Sequence, residues 1–566
     1  MHQPNVQAHS SSYFKYEVYP FERPADLTAP TPVRHPVVIV GAGPAGLVLA
    51  IQMALNGVKS VLIESEAQVS GGSRALALTK RSMEIIEQCG VAAEFLKGAL
   101  VWKNGYSFYK NRIVHHLDIP FSEDDKFYPM TNLAQCIIEK ILVDRARALG
   151  VDIRFQTRLN TMEVADSGVT LTLDTPEGEY RVQADWVVGC DGARSAVRRL
   201  QGLRFEGQSY ESRFVIADFN IALDEPTGRR CYFEPPWLPG HTALVHKAPG
   251  GIWRLDYQVP ADVSDEEALD PERIHAHIQA QLDYTGVKLP WTIEWTTLYK
   301  PNTLTLNSYN HGRVLYCGDA AHLLPVFGVR GMNTGVQDSI NLGWKLAAVV
   351  QGQADAAILN SFTSERVADA RQICKEAGRS TRMVAPPTRG FRVMQQAVLS
   401  LALNHEFPRG LLHWRTSHPI DYASSPLTWL DSSESSFSAG PRPGAPARNA
   451  RVADGFVLDA FQPGFQILVF GANEAQWQAA CDDVRQLRAQ NLHVRLIAIR
   501  SDDSPAPQAD AVLRDLQGHA HSLWGAQDGT VYVLRPDQHV CARWTASSST
   551  RAAQVIHHVL TAATAA

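Results

Sequence analysis

Three stretches of the chain set glycines and acids at spacings suited to holding a phosphorylated ligand. The first is Gly41-Ala-Gly43-Pro44-Ala45-Gly46, with Glu64 placed 23 positions after Gly41. Gly41 permits a tight turn, Gly43 lets backbone approach a pyrophosphate, and Gly46 lets a helix lie close on a strand. A helix opening at Pro44 offers unpaired N–H groups and a positive dipole end to phosphate. Glu64 can accept hydrogen bonds from a ribose diol. The second stretch is Val188-Gly-Cys-Asp191-Gly192-Ala-Arg-Ser-Ala-Val-Arg198. The third is Arg313-Val-Leu-Tyr-Cys-Gly318-Asp319-Ala-Ala-His322, followed by Gly331-Met332-Asn333-Thr-Gly-Val-Gln-Asp338 and Asn341-Leu-Gly-Trp-Lys-Leu346. Asp191 and Asp319 also have a plain reading, as turn or capping residues.

These residues need elements to place them. The β-branched run 35–40 reads as a buried parallel strand, 44–56 as a helix ended by Gly57, and 59–63 as a second strand carrying Glu64. Helices are expected near 80–89 and 131–149, and strands at 169–173 and 180–188. Residues 214–223, 229–233, 242–246, 252–259 and 292–299 read as strands, with a hairpin turn at 248–251. A strand at 314–317 leads to a helix over 334–350, whose stripe is Val336, Ile340, Gly343, Ala347 and Val350. The expected division is an N-terminal extension 1–34, a dinucleotide-binding part 35–213, an inserted sheet 214–305, a second dinucleotide-binding part 306–430, a Ser/Pro/Gly-rich linker 431–448 and a C-terminal α/β unit 449–566.

Composition narrows the classes. The 53 basic and 58 acidic residues among 566 give −5, which argues against a general nucleic-acid or anionic-membrane binder. Eight scattered cysteines lack CxxC spacing, so neither a metal site nor a dithiol motif is expected, and a reducing cytoplasm is. No signal peptide or membrane span is read from the sequence.

Together and in this order, the three stretches resemble the single-component (class A) FAD-dependent aromatic hydroxylases, over residues 35–430. The nearest branch is that of 3-(3-hydroxyphenyl)propionate and phenol hydroxylases. The resemblance implies an α/β fold: a Rossmann-like, glutathione-reductase-like FAD-binding domain, an inserted antiparallel β-sheet substrate domain, and a C-terminal thioredoxin-like domain, here lacking CxxC. It implies FAD as cofactor, NAD(P)H and O₂ as co-substrates, a small aromatic substrate and a possible homodimer. It places Asp319 on the ribityl chain, the backbone of Gly331, Met332 and Asn333 near the pyrimidine ring, and Arg74 and Gln135 on the adenosine and pyrophosphate side. It links Asp191 to both FAD and NAD(P)H. Pro325 and Gly331 survive from a flavin-side motif in which Arg330 replaces a neutral Gln, and Leu76 stands where phenol hydroxylases have an acid.

The implied reaction is reduction of FAD, addition of O₂ at flavin C4a, and delivery of one oxygen from the hydroperoxide to an electron-rich ring. A hydrogen-bond acceptor beside the substrate hydroxyl would lower that barrier. The candidates are Tyr232, His246, Arg254 and Tyr257 on the inserted sheet, where alternation sets Trp253, Leu255 and Tyr257 on one face and Arg254 and Asp256 on the other. His246 and Tyr257 equally suit ordinary half-buried sheet positions, and His322 reads as structural. An alternative substrate is a polyketide or other non-simple ring, met by epoxidation or Baeyer–Villiger chemistry. A flavin-binding regulatory protein is the non-enzymatic alternative.

Overall fold

The computed structural model describes residues 14, 17–72, 74–325, 327–412 and 420–562. Residues 1–13, 15 and 16 of the expected extension, and Val326 of the flavin-side motif, lie outside the described residues.

The strand Val33–Val40 ends in four consecutive buried residues, as a strand covered on both faces requires. It lies in an eight-stranded sheet between Val61–Ile63 and Gly178–Gly189, parallel to both. Val314–Tyr316 joins the same sheet parallel to Gly178–Gly189. Three carboxyl ends therefore converge, and from them run Gly41, Asp191 and Gly318. In open α/β sheets ligands bind outside such ends.

The helix Pro44–Leu55 starts with proline at its first turn and stops before Gly57, whose φ of +75° suits only glycine well. It packs on the helix Gly331–Val350, and a Cβ added at Gly343 would come within 2.8 Å of Gln52 Cβ. The expected helix over 131–149 divides: Met130–Asn132 is a buried strand between Ala77–Thr79 and Leu100–Trp102, and the helix is Gln135–Ala148.

The inserted sheet has seven strands, in the order Trp291–Tyr299, Arg213–Ile221, Ile252–Val259, Thr242–Lys247, Arg229–Phe233, Asn104–Tyr109 and Arg112–Asp118. It departs from the antiparallel expectation at one seam, where Arg229–Phe233 runs parallel to Asn104–Tyr109. The sheet is therefore mixed, and two strands reach it from the chain before the insertion. Alternation gives each strand a face but cannot name so distant a partner. The face carrying Val215, Ala217, Leu255 and Tyr257 packs on the helix Pro271–Tyr284 through Ile274, Ile278 and Leu282.

The C-terminal unit has a five-stranded sheet ordered Ala511–Arg514, Val494–Arg500, Phe465–Phe470, Val531–Leu534 and Val540–Trp544. The first three are mutually parallel and the last two antiparallel to their neighbours. The stretch 431–448 is tied down, since Arg543 pairs with Glu434 and Asp431 accepts from Ser433, Ser548 and Thr550. Among the described residues no helix is long and apolar enough to cross a membrane.

Candidate functional site

A cavity of about 1630 Å³ opens at the converging strand ends and runs to the inserted sheet. Its lining takes in Gly41, Gly43, Pro44, Ala45, Glu64, Arg74, Gln135, Asp191, Asp319, Gly331, Met332 and Asn333. The expected cofactor residues thus come together, from stretches far apart in the chain. Gly46 and Pro325 stand apart from the lining. Gly46 does the packing work expected of it, because a Cβ there would meet Gly41 O at 2.0 Å and Cys190 Cβ at 3.2 Å. Pro325 is buried beside the lining residue Leu324.

Several features fit a dinucleotide. A Cβ added at Gly43 would meet nothing within 4 Å, so the N-terminus of the helix Pro44–Leu55 faces open space. Asp191 accepts from Ala196 N–H at 2.6 Å through one oxygen, while its buried Oδ1 has no hydrogen-bond partner within the protein. Glu64 accepts from Ala42 N–H at 2.8 Å and Glu66 N–H at 3.0 Å, and a carboxylate keeps lone pairs beyond these for a ribose diol. Burial raises the Glu64, Asp191 and Asp319 carboxyls; His322 and Arg74 partly oppose this at Asp319. A ribose diol and a pyrophosphate are the parts of a dinucleotide that these groups suit.

The turn at Asp319 is fixed from behind. Asp338 accepts from Gly318 N–H at 3.0 Å and pairs with His322 Nε2 at 2.7 Å and Arg366 Nε at 2.6 Å. Asn333 accepts from Thr79 N–H at 2.9 Å and donates to Ala77 O and Val329 O, which holds the start of the helix Gly331–Val350 in place. At the other end Gln135 donates to Glu139 at 2.7 Å, and Glu139 accepts from Ser70 N–H at 2.6 Å. Burial pushes the Glu139 carboxyl up to about 7. Glu139 lines the cavity one turn after Gln135, a spacing that could have flagged it.

The far wall is one face of the inserted sheet. Register sets Arg229 opposite His246, His246 opposite Arg254, and Arg254 opposite Asp218, a row across four strands. Arg254 makes a two-point pair with Asp218, at 2.7 and 3.0 Å, and donates to Arg74 O at 3.1 Å. Burial, with Arg229 and Arg254 on either side, pushes His246 down to about 3, so its imidazole is neutral. Asp256 lies on the same face, with Oδ2 3.7 Å from His246 Nε2 and a buried Oδ1 that has no hydrogen-bond partner. Burial pushes its carboxyl up to about 7.

This arrangement corrects part of the expected catalytic set. His246 and Arg254 line the cavity, and Tyr232 and Tyr257 do not. Both tyrosines belong to the apolar cluster on the reverse face, which alternation forces once Arg254 and Asp256 face the cavity. Asp256 is the acid that sequence reasoning placed on the Arg254 face without giving it a role.

Comparison with known proteins agrees with this geometry. The family described as FAD binding domain matches residues 34–377, and the family described as HcaD C-terminal domain matches 449–561. A 3-(3-hydroxy-phenyl)propionate/3-hydroxycinnamic acid hydroxylase of Mycolicibacterium smegmatis is 29% identical over 520 residues, covering 89% of each chain. A 12-dehydrotetracycline 5-monooxygenase/anhydrotetracycline 6-monooxygenase of Streptomyces rimosus is 29% identical over 67% of this chain and 76% of that one. The solved ternary complex of aklavinone-11 hydroxylase with FAD and aklavinone superposes with a TM-score of 0.72 at 25% identity, covering 94% of this chain and 99% of that one. With its family match spanning the whole cavity and its relatives spanning most of its length, the chain belongs to the FAD binding domain family and is a FAD-dependent monooxygenase of the class A aromatic hydroxylase type.

Proposed function

We propose that the enzyme hydroxylates a phenolic acid of the hydroxyphenylpropionate class, using NAD(P)H and O₂, and that Asp256 with His246 receives the ring hydroxyl. The observation that carries this is Asp256 itself: a buried carboxyl on the cavity wall with one oxygen unpartnered and the other 3.7 Å from a neutral imidazole. Two-electron redox chemistry and oxygen activation are what bound FAD supplies, since side chains lack them.

The side chains do the rest. Ionised Asp256 accepts the hydroxyl proton at Oδ1 and leaves a more electron-rich ring. Neutral His246 offers a second polar contact through Nε2. Arg229 and Arg254 balance Asp218 and ionised Asp256, and once Asp256 has taken the proton the group is left net positive, which favours the phenolate. Ile216, Leu244, Leu324 and Phe327 add apolar surface to the cavity wall and help keep water from the reacting ring. Hydroxyphenylpropionate is favoured over a polycyclic substrate because the hydroxylase relative keeps 29% identity along 89% of the chain, whereas the tetracycline relative keeps it along only 67% and the aklavinone hydroxylase, covering 94%, falls to 25%. The C-terminal unit reads as thioredoxin-like in layout but without redox work, because Cys481 and Cys541 are separate, buried thiols. Eight free cysteines suit a reducing cytoplasm.

The test is NAD(P)H oxidation by FAD-loaded protein with 3-(3-hydroxyphenyl)propionate, with product mass read alongside, in the parent and Asp256→Asn. The parent should yield a product about 16 mass units heavier, from one inserted oxygen. Asp256→Asn should keep FAD and lose about 10²-fold or more in hydroxylation, as removal of a proton acceptor does. Hydroxylation at the parent rate in Asp256→Asn would remove Asp256 from this role. Failure of every phenolic acid to stimulate the parent would remove the substrate class.

A further inference from the structure

The loop after Val531–Leu534 in the C-terminal unit enters the other unit as charge. Arg535 is fully buried and pairs with both oxygens of Glu365, at 2.6 and 3.0 Å. Glu365 lies on the helix Leu359–Val384 and also accepts from Lys345 and Asn341, each at 2.7 Å, on the helix Gly331–Val350. Asn341 donates in turn to Asp537 at 3.2 Å. The residue after Glu365, Arg366, bonds Asp338, which fixes Gly318 N–H and His322. One step further is Asp319, in the cavity wall.

A second route leaves the same loop. Arg81 donates to Asp537 O at 2.7 Å and to the Gln538 side chain. Arg81 stands on the helix Lys80–Gln88, whose cap Thr79 gives its N–H to Asn333 in the cavity wall. Both routes are buried up to the cavity wall, where Asp319 is exposed; an unmatched charge along them is strongly disfavoured, so the loop and the two turns are held to one arrangement. One other charged contact between the units differs. Lys126 with Glu87 and Asp459 is partly exposed, and none of the three lines the cavity.

We propose that the C-terminal unit is part of the cofactor site's framework, and that Arg535 is the positioning residue through which it holds the Gly318–Ala320 turn and the start of the helix Gly331–Val350 at the flavin end. The proposal rests on membership of the FAD-binding family and not on the substrate reading, so either can fail alone.

The test compares the full chain as parent, Arg535→Gln, Arg535→Lys and Lys126→Met. FAD affinity is read by flavin fluorescence on titration into apo-protein, and backbone hydrogen exchange is read with and without FAD. Arg535→Gln should weaken FAD binding about ten-fold or more, within the usual range of coupling between sites. It should speed exchange at 318–323 and 331–338 while the strand 33–40 exchanges as in the parent. Arg535→Lys should recover part of the affinity, because an ammonium keeps the charge without the two-point fork. Lys126→Met should match the parent. Coupling is reciprocal, so FAD should slow exchange at 531–539 in the parent and not in Arg535→Gln. FAD affinity within two-fold of the parent in Arg535→Gln, with parent-like exchange at 318–323, would overturn the proposal. Should Arg535→Gln fail to fold, Gln538→Ala decides: faster exchange at 331–338 supports the proposal and parent-like exchange overturns it.

Discussion

Glu365 and Asp256 are both buried carboxylates, and their surroundings push them in opposite directions. Burial would raise Glu365, but Arg535 and Lys345 more than offset it and hold the carboxyl well below its usual range. Burial raises Asp256 to about 7, with Arg254 opposing only in part because Asp218 already occupies that guanidinium. Every oxygen of Glu365 is bonded within the protein, whereas Asp256 keeps one oxygen unpartnered. A buried acid with all its partners inside the chain serves the architecture. One left with unspent acceptor capacity on a cavity wall is ready for a ligand.

The largest expected effect breaks the matched side. Glu365→Ala leaves Arg535 and Lys345 without their shared acid and should cost about 3–5 kcal/mol, read by urea unfolding. The lowered Glu365 value also fixes a sign. Its stabilisation is present above the ordinary carboxylate range and is lost as pH falls through that range towards the folded-state value. Next comes turnover. The substrate-stimulated rate should fall about ten-fold per pH unit below the Asp256 value of about 7, and that slope should vanish in Asp256→Asn. A slope retained in Asp256→Asn would assign the titration to another group.

A smaller effect concerns stability at the same residue. Between the ordinary 3.8 and about 7 the folded chain holds a proton that the unfolded chain has released, so this contribution declines as pH rises. Asp256→Asn should therefore equal or exceed the parent at pH 8, by about 1 kcal/mol, and lose that advantage at pH 5. The smallest effect is Tyr257→Phe. Its hydroxyl is buried without a partner on the reverse face, so stability should move by less than about 0.5 kcal/mol and hydroxylation should be unchanged.

What could be read from the sequence follows locality. The glycine turn, its helix and Glu64 sit within one strand–helix–strand unit, and the structure places them as expected. Asp319, Gly331 and Asn333 were singled out by motif resemblance alone, and the structure sets all three on the cavity wall. The strand Met130–Asn132 was hidden, because its partners at 77–79 and 100–102 lie well before it and its residues carry no alternation to betray them. The seam with Asn104–Tyr109 was hidden for the same reason. On the inserted sheet, alternation correctly sorted Arg254 and Asp256 from Tyr257. Which face meets the cavity depends on how the sheet docks, and that is where Tyr232 and Tyr257 were misjudged. The Arg535–Glu365 pair joins residues 170 apart and left no mark in either segment.

The two-sidedness of the inserted sheet bears on how such an enzyme changes over evolutionary time. Ile216, Leu244 and Asp256 face the cavity, while their strand neighbours Val215, Val245 and Leu255 face the helix Pro271–Tyr284. Substitutions on the first set can rewrite which ring is accepted while leaving the second set's packing intact. Substrate range can thus drift along one side of a wall whose other side preserves the fold.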